Sequence, residues 1–377
     1  MYSLAFLSLA LLSLLPTSLA QTHTNCDPLT RTDCPVHTAL GTNATFDFQK
    51  HQADDKVWNT TNGKVNFTPD GAQFTIKERL ESPTMQSTFY ILFGRVSSIV
   101  RAAPGQGIIS SVVIQAETLD EIDWEWLGSN TTSVQSNYYG KGDESYGGRG
   151  GIHDMVDPTA DYHNYTTVWT KEKLEWWLDG NIIRTLKYED AKDGTRFPQT
   201  PSTVRIGIWP AGDLQNPDGV REWAGGDVDY SKGPFTMTVR SVYVEDFTSG
   251  ATYAYGDTSG NWQSIIVTQG ESEAAKEIYT PHGVSGRWNA LPKTTRIAII
   301  ASSLGGLALV LLAMTWCCIR QRRAGKKERI IADAEFAKGE NELMDYRRHM
   351  QNGGFAMQGG VGHAPPQPVY HLPNNRF

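Results

Sequence analysis

The chain has 377 residues, of which 39% are apolar, 10% aromatic and 20% charged, and its formal net charge is −7. That composition excludes a wholly disordered chain. The charge is uneven: residues 320–377 hold ten Lys/Arg and six Asp/Glu, a net +4, which leaves −11 on the rest. An acidic main body argues against a nucleic-acid partner.

Residues 1–20 read as a secretory signal, with an apolar stretch, Pro16 and the small-residue end Ser18-Leu19-Ala20. The mature chain then starts at Gln21. Cys26 and Cys34 follow, and in a secreted context they are expected to form a local disulfide. Sequons start at Asn43, Asn59, Asn66, Asn130 and Asn164, all ahead of the second apolar run, and are the expected glycan acceptors. From Cys26 to Phe247 the chain alternates in short segments divided by turn residues, such as 72–77, 88–93 and 235–244. Residues 174–178, the pair Asp179-Gly180 and residues 181–186 spell a two-residue hairpin. No long helical period interrupts this pattern, so the expected fold is all-β, a β-sandwich of jelly-roll type. Seven of the eleven Trp fall between Trp124 and Trp223, which suggests an aromatic-lined surface on that sandwich.

Residues 248–296 are poorer in strand pattern and are expected to form a stalk. Residues 297–319 run for 23 positions without a charge. Lys293 and Arg296 precede them, and Arg320, Arg322, Arg323, Lys326 and Lys327 follow. That is the pattern of a single transmembrane helix with the N-terminal part outside, a type I protein of the cell surface. The polar residues after it favour a retained helix over a glycolipid-anchor signal. Cys317 and Cys318 at its inner edge are either acylated or plain apolar residues. Residues 320–377 are expected to be a cytoplasmic, largely disordered tail, with a short helix over 327–349 and a Gly-, Gln- and Pro-rich end.

The stretch Asp120-Glu-Ile-Asp-Trp-Glu-Trp-Leu-Gly128 carries the chemistry. On a strand the side-chain period is two, so Glu121, Asp123 and Glu125 share one face, and Ile122, Trp124 and Trp126 share the other. Three acids on one face repel each other and lose solvation, which a strand rarely accepts without a functional return. Paired carboxylates beside aromatics are what glycosidic-bond chemistry requires: one ionised to attack the anomeric carbon, one protonated to release the leaving oxygen. The middle acid can raise a neighbour's pKa by like-charge repulsion. The bland alternative is a solvated edge strand.

Glu121-Ile-Asp-Trp-Glu125 resembles the catalytic signature of glycoside hydrolase family 16, and the wider chain resembles the fungal cell-wall CRH transglycosylases. The matching pieces are Cys26-Asp-Pro-Leu with Cys34-Pro, residues 101–105, Ser110-Ser111, residues 120–128, residues 208–213 and Glu222-Trp-Ala-Gly-Gly226, all in the same order. The resemblance implies a concanavalin-like jelly roll spanning residues 21–247 as the catalytic domain. It implies Glu121 as nucleophile, Asp123 as auxiliary acid and Glu125 as proton donor and general acid/base. It also implies substrate contacts at Glu125, Arg205, Trp209 and Val220. Val220 stands where the family has a Thr, so a hydroxyl contact is lost. The implied partners are chitin and β-glucan, the implied activity transfer of a chitin chain to β-1,3-glucan or chitin, and no cofactor or metal is called for.

Several of these residues have two readings from chemistry alone. Trp209 either stacks on a pyranose face or fills the core, and Trp223 and Trp126 share that ambiguity, with parity placing Trp126 beside Trp124. Arg205 either donates to a sugar or forms an ion pair. Tyr138, Tyr139 and Tyr146 lie in or near a Gly-rich loop after the acids and are candidates to border a cleft. His153 and His163, with Asp154, Asp157 and Asp161 nearby, read more readily as structural residues than as a metal site. Two rivals accompany the transglycosylase: a hydrolase of chitin or β-glucan, and a non-catalytic, lectin-like wall sensor.

Overall fold

The structure is a computed structural model that describes residues 24–145, 147–281 and 283–352. The expected signal over residues 1–20, Tyr146 and the Gly-, Gln- and Pro-rich end of the tail lie outside the described residues. The chain divides into two units, residues 1–280 and residues 281–377.

The first unit is a sandwich of two antiparallel sheets. One runs in the order Gly151–Asp154, Ser133–Tyr139, Glu121–Leu127, Ile108–Ala116, Ser202–Pro210, Thr84–Ser87 and Trp58–Asn62. The other runs Asn181–Lys187, Lys173–Leu178, His163–Trp169, Gly94–Arg101, Phe235–Asp246, Gly71–Ile76 and Val65–Thr68, with Asn43–Asp47 also paired to Phe235–Asp246. Alternation sets which face goes inward. Ile114, Val112, Ile122, Trp124, Trp126, Val204, Ile206 and Ile208 from the first sheet meet Val96, Val100, Tyr165, Trp169, Trp176, Val242 and Val244 from the second in one core. Five tryptophans there, Trp58, Trp124, Trp126, Trp169 and Trp176, are almost wholly buried. Two of their indole N–H groups find partners across the core: Trp124 donates to Thr167 Oγ1 (3.0 Å) and Trp169 to the Pro198 carbonyl (2.8 Å). Trp126 packs edge-on to Tyr165 with ring centroids 4.5 Å apart.

The expected hairpin forms, with Lys173–Leu178 against Asn181–Lys187. Asp179 and Gly180 both have positive φ (47° and 82°). That is the primed-turn geometry whose twist matches the strands, and glycine adopts it without strain. A second hairpin joins Ile108–Ala116 to Glu121–Leu127 and places Gln115 opposite Glu121, Val113 opposite Asp123 and Ser111 opposite Glu125. Fully buried Asp120 locks its turn by accepting from the backbone N–H groups of Lys141 and Gln199 (2.9 Å each) and from Thr200 Oγ1 (2.7 Å).

The expected stalk is corrected in its first part. Thr252–Tyr255 pairs with His37–Thr38 on one side and Ile265–Thr268 on the other, a small third sheet. Tyr253 is fully buried and donates to Asp246 Oδ2 (2.6 Å). Ser272 accepts from the Ala275 N–H to cap the Glu273–Tyr279 helix and donates to the Leu40 carbonyl. Residues up to Thr280 therefore belong to the folded body. The polar composition of 248–280 is that of a surface extension held by a few buried anchors.

Cys26 and Cys34 form the expected disulfide, with Cα atoms 5.7 Å apart. Of the sequon asparagines, Asn43, Asn59 and Asn66 are exposed, and Asn130 and Asn164 are half-buried.

In the second unit, Lys293–Gln351 is one helix of 59 residues. Among the described residues it alone is long and apolar enough to cross a membrane. It contains the apolar run 297–319 and continues through the tail, so the disorder expected from residue 320 is corrected to helix as far as Gln351. Strong helix formers spaced with opposite charges support that continuation, as at Arg329–Asp333 and Lys338–Glu342.

Candidate active site

The outward face of the first sheet carries the acids. Register aligns them in rows: Glu121 with Gln115 and Tyr139, Asp123 with Val113 and Asn137, Glu125 with Ser111 and Gln135. Arg205 extends the Asp123 row through its pairing with Val113. A cleft of about 490 Å³ lies over this face, lined by Glu121, Asp123 and Glu125 together with Tyr139, Trp209, Val220 and Trp223.

The two outer acids have unlike surroundings. Glu121 accepts from Gln115 Nε2 at 2.8 Å. Burial raises its pKa, while the Asp123 carboxyl, Gln115 and the guanidinium groups of Arg205 and Arg149 pull it back down. Burial raises Glu125 too, the charge on Glu121 adds to the rise, and the carboxyl is pushed up to about 8. Asp123 is 2% exposed. Burial and then the charges of Glu121 and Glu125 hold it well above the ordinary aspartate value, and its hydrogen bond to Glu121 adds to the rise. The two carboxyls are therefore set apart by their surroundings: burial raises both, but Glu121 has an amide donor and two guanidinium groups that lower it, whereas the charge of Glu121 raises Glu125 further. The Asp123 carbonyl accepts from Trp176 Nε1 (3.1 Å), which ties the strand to the opposite sheet.

Beyond Glu125, Trp209 and Trp223 stack with centroids 6.2 Å apart and planes 30° apart. They and Val220 pack on Ile109, Leu127, Ala211 and Ala224, a small apolar cluster separate from the main core. Trp223 sits on the short Asp218–Trp223 helix and donates Nε1 to Gln135 Oε1 (3.0 Å). Its partner Gln135 faces Glu125 across the sheet. Glycine makes this corner possible: at Gly212 a Cβ would come within 2.2 Å of the Gly226 carbonyl oxygen.

Residues 52–232 match the family of glycosyl hydrolases family 16. A Crh-like protein of Arthroderma benhamiae is 48% identical over 337 residues, covering 89% of this chain and 92% of the relative. The chain belongs to glycosyl hydrolases family 16, among its Crh-like proteins. Crh-like protein 3 of Aspergillus fumigatus is 50% identical over 331 residues, 87% of this chain and 90% of that protein. The solved structure of a Crh5 transglycosylase in complex with NAG is 46% identical, with a TM-score of 0.62 over 64% of this chain and 99% of that one. This Crh-like chain is accordingly a glycoside hydrolase/transglycosylase.

Glu121, Asp123, Glu125, Trp209 and Val220, all singled out in the sequence, line one cleft. It resolves the ambiguity of the tryptophans: Trp209 and Trp223 line the cleft, and Trp126 is core. Arg205, the remaining expected sugar contact, shares the acids' face through its pairing with Val113. It is 4% exposed, lies outside the cleft lining and faces Glu121, Glu117 and Tyr90. Tyr139 lines the cleft, with Arg149 4.1 Å over its ring, whereas its neighbour Tyr138 points into the core. His153 bonds Ser136 Oγ (2.8 Å) and His163 bonds Asp179 (2.7 Å), on strands of different sheets. Gln115, Gln135 and Arg149 escape sequence reasoning. The first was within reach, because the turn at 117–120 sets it opposite Glu121.

Proposed function

We propose that this Crh-like protein is a retaining transglycosylase that cleaves chitin and passes the chain to β-1,3-glucan or to another chitin chain. The unlike settings of Glu121 and Glu125 on one strand support this most directly. Glu121 attacks the anomeric carbon of an N-acetylglucosamine unit, and the C1–O4 bond breaks as the Glu125 proton passes to the leaving oxygen. Asp123, protonated, donates to Glu121 and steadies it before attack. Glu125, now ionised, removes the proton from an acceptor hydroxyl, whose oxygen displaces Glu121 from C1 and restores both carboxyls. The Trp209–Trp223 surface offers flat apolar area on which pyranose faces stack. Val220 makes that surface more apolar than a hydroxyl would.

The relatives support the substrate: the Crh5 transglycosylase binds NAG. The helix over residues 297–319 would anchor the enzyme at the cell surface, with the sandwich on the wall side and the basic residues from Arg320 inward. The five sequon asparagines would then lie in the glycosylated compartment.

The test uses a chitin oligosaccharide donor and a fluorescent β-1,3-glucan or chitin oligosaccharide acceptor, with Glu121→Gln in parallel. Longer fluorescent products from the wild type alone establish transfer. A shortened donor without labelled product makes the protein a hydrolase, and donor binding without turnover makes it a lectin-like sensor.

A further inference from the structure

Just past Trp209 the chain turns into the short helix that carries Val220 and Trp223, and one buried carboxylate sits at the centre of that turn. Asp213 is 1% exposed. Its Oδ1 accepts from Arg79 Nη2 (2.7 Å) and the Gln215 N–H (3.0 Å), and its Oδ2 from Arg79 Nε (2.8 Å) and the Tyr230 hydroxyl (2.7 Å). Such a two-pronged guanidinium–carboxylate pair fixes geometry as well as adding energy. Arg79 comes from the loop that passes from Gly71–Ile76 in one sheet to Thr84–Ser87 in the other, and Tyr230 from the turn Tyr230–Lys232. Three segments distant in sequence therefore meet on Asp213.

The same residue closes the turn. The Asp213 N–H donates to the Pro210 carbonyl (3.0 Å), and the Asp213 carbonyl accepts from the Asn216 N–H (2.9 Å). The Asn216 side chain donates to the carbonyls of Pro210 (3.0 Å) and Ala211 (2.9 Å). Ala211 belongs to the small apolar cluster on which Trp209, Val220 and Trp223 pack, and Pro217 begins the Asp218–Trp223 helix. That helix has six residues, buries none of them and has no side-chain cap at its start. So short a helix is not stable alone and takes its position from its anchors.

We infer that Asp213 is a positioning residue for sugar binding: gripped by Arg79 and Tyr230, it fixes the turn that joins Trp209 to the helix of Trp223, and so holds the two rings where a sugar chain meets them. The inference rests on the reading of the Trp209–Trp223 surface as a sugar platform. Stacking requires both rings at the right height and tilt, and a displacement of about 1 Å is enough to lose much of it.

The experiment measures kcat and donor KM of the full chain in detergent, with the Kd of the same chitin oligosaccharide beside them. The variants are Asp213→Asn, Tyr230→Phe, Trp209→Ala and the doubles with Trp209→Ala. Asn keeps the size of Asp213, and the Arg79 side chain, 54% exposed, returns to water. Asp213→Asn should raise KM and Kd about tenfold with kcat within about twofold, and Tyr230→Phe should do the same more weakly. In the Trp209→Ala background the rise from Asp213→Asn should shrink to about twofold or less, because the surface it positions is already broken. A merely structural Asp213 lowers Tm and kcat and multiplies with Trp209→Ala. An unchanged KM and Kd in folded Asp213→Asn, or the same rise in both backgrounds, overturns the inference. If Asp213→Asn does not fold, Tyr230→Phe in the two backgrounds decides. If Trp209→Ala itself leaves KM and Kd unchanged, the sugar platform is refuted and the inference with it; if Trp209→Ala raises them and the Asp213 and Tyr230 variants do not, the inference alone fails. In a chain without turnover, Kd carries the same comparison.

Discussion

Replacing Glu125 with Gln should make the protein more stable at neutral pH while abolishing turnover. The Glu125 carboxyl rises from an ordinary 4.5 to about 8 in the folded chain. A raised pKa means the native state keeps a proton that the unfolded chain has released. The favourable contribution is complete below about 4.5 and is lost as pH rises through 8. At pH 7 the wild type has forfeited about 2.5 units, or about 3 kcal/mol at 1.36 kcal/mol per unit, and at pH 4 almost nothing. Gln has the shape of the protonated acid and no titration, so it escapes that loss. For a domain of this size each kcal/mol moves Tm by roughly 2–4 °C, giving a gain of roughly 6–12 °C at pH 7 that closes towards pH 4. Thermal unfolding of both proteins from pH 4 to 7.5 measures it. If the variant is no more stable at pH 7, or if its advantage does not shrink in acid, the electrostatic assignment of Glu125 is wrong. Such a result would leave the proton donor without a structural basis, since active sites retain destabilising charge only for function.

The alkaline limb of kcat/KM should fall near pH 8, because in the proposed mechanism Glu125 must hold a proton and its carboxyl is pushed up to about 8; a limb below pH 6 would contradict it. Trp209→Ala should weaken sugar binding, seen as a raised KM, with little change in Tm, since Trp209 is only half-buried in the cleft wall. Trp126→Ala should instead cost about 3–5 kcal/mol, read by denaturant unfolding, because its 0%-exposed indole fills the core. Truncation after Phe247 should give insoluble protein and truncation after Thr280 a folded one, as only the first strips Tyr253 and Ser272 from Asp246 and Leu40.

Much of this protein was legible before its fold. Period-two alternation put three acids on one face of a strand, and they are there. Asp179-Gly180 specified a turn that only positive φ satisfies. The uncharged run 297–319 was long enough for a membrane whatever surrounded it. Each of these is a local property, decided by neighbours within a few residues along the chain. The resemblance carried the roles of Glu121, Asp123 and Glu125 as expectations.

Local pattern failed where distant segments meet. Nothing in residues 248–280 announces that Tyr253 reaches Asp246 or that Ser272 caps a helix while holding Leu40, so the segment reads as stalk. The tail reads as disordered because its end is polar and Gly-rich, yet helix propensity carries the preceding residues on from the apolar run. Arg205 and Trp209 lie on one strand with the same parity, but only the sandwich buries the first and leaves the second half-buried at the cleft. Local sequence by itself determined the strands, the turns, the acid row and the apolar helix. The tertiary structure decided which carboxyl is raised further by a neighbouring charge and which is eased by the Gln115 amide and the charges of Arg205 and Arg149, because desolvation and buried charge depend on what lies across space, not along the chain.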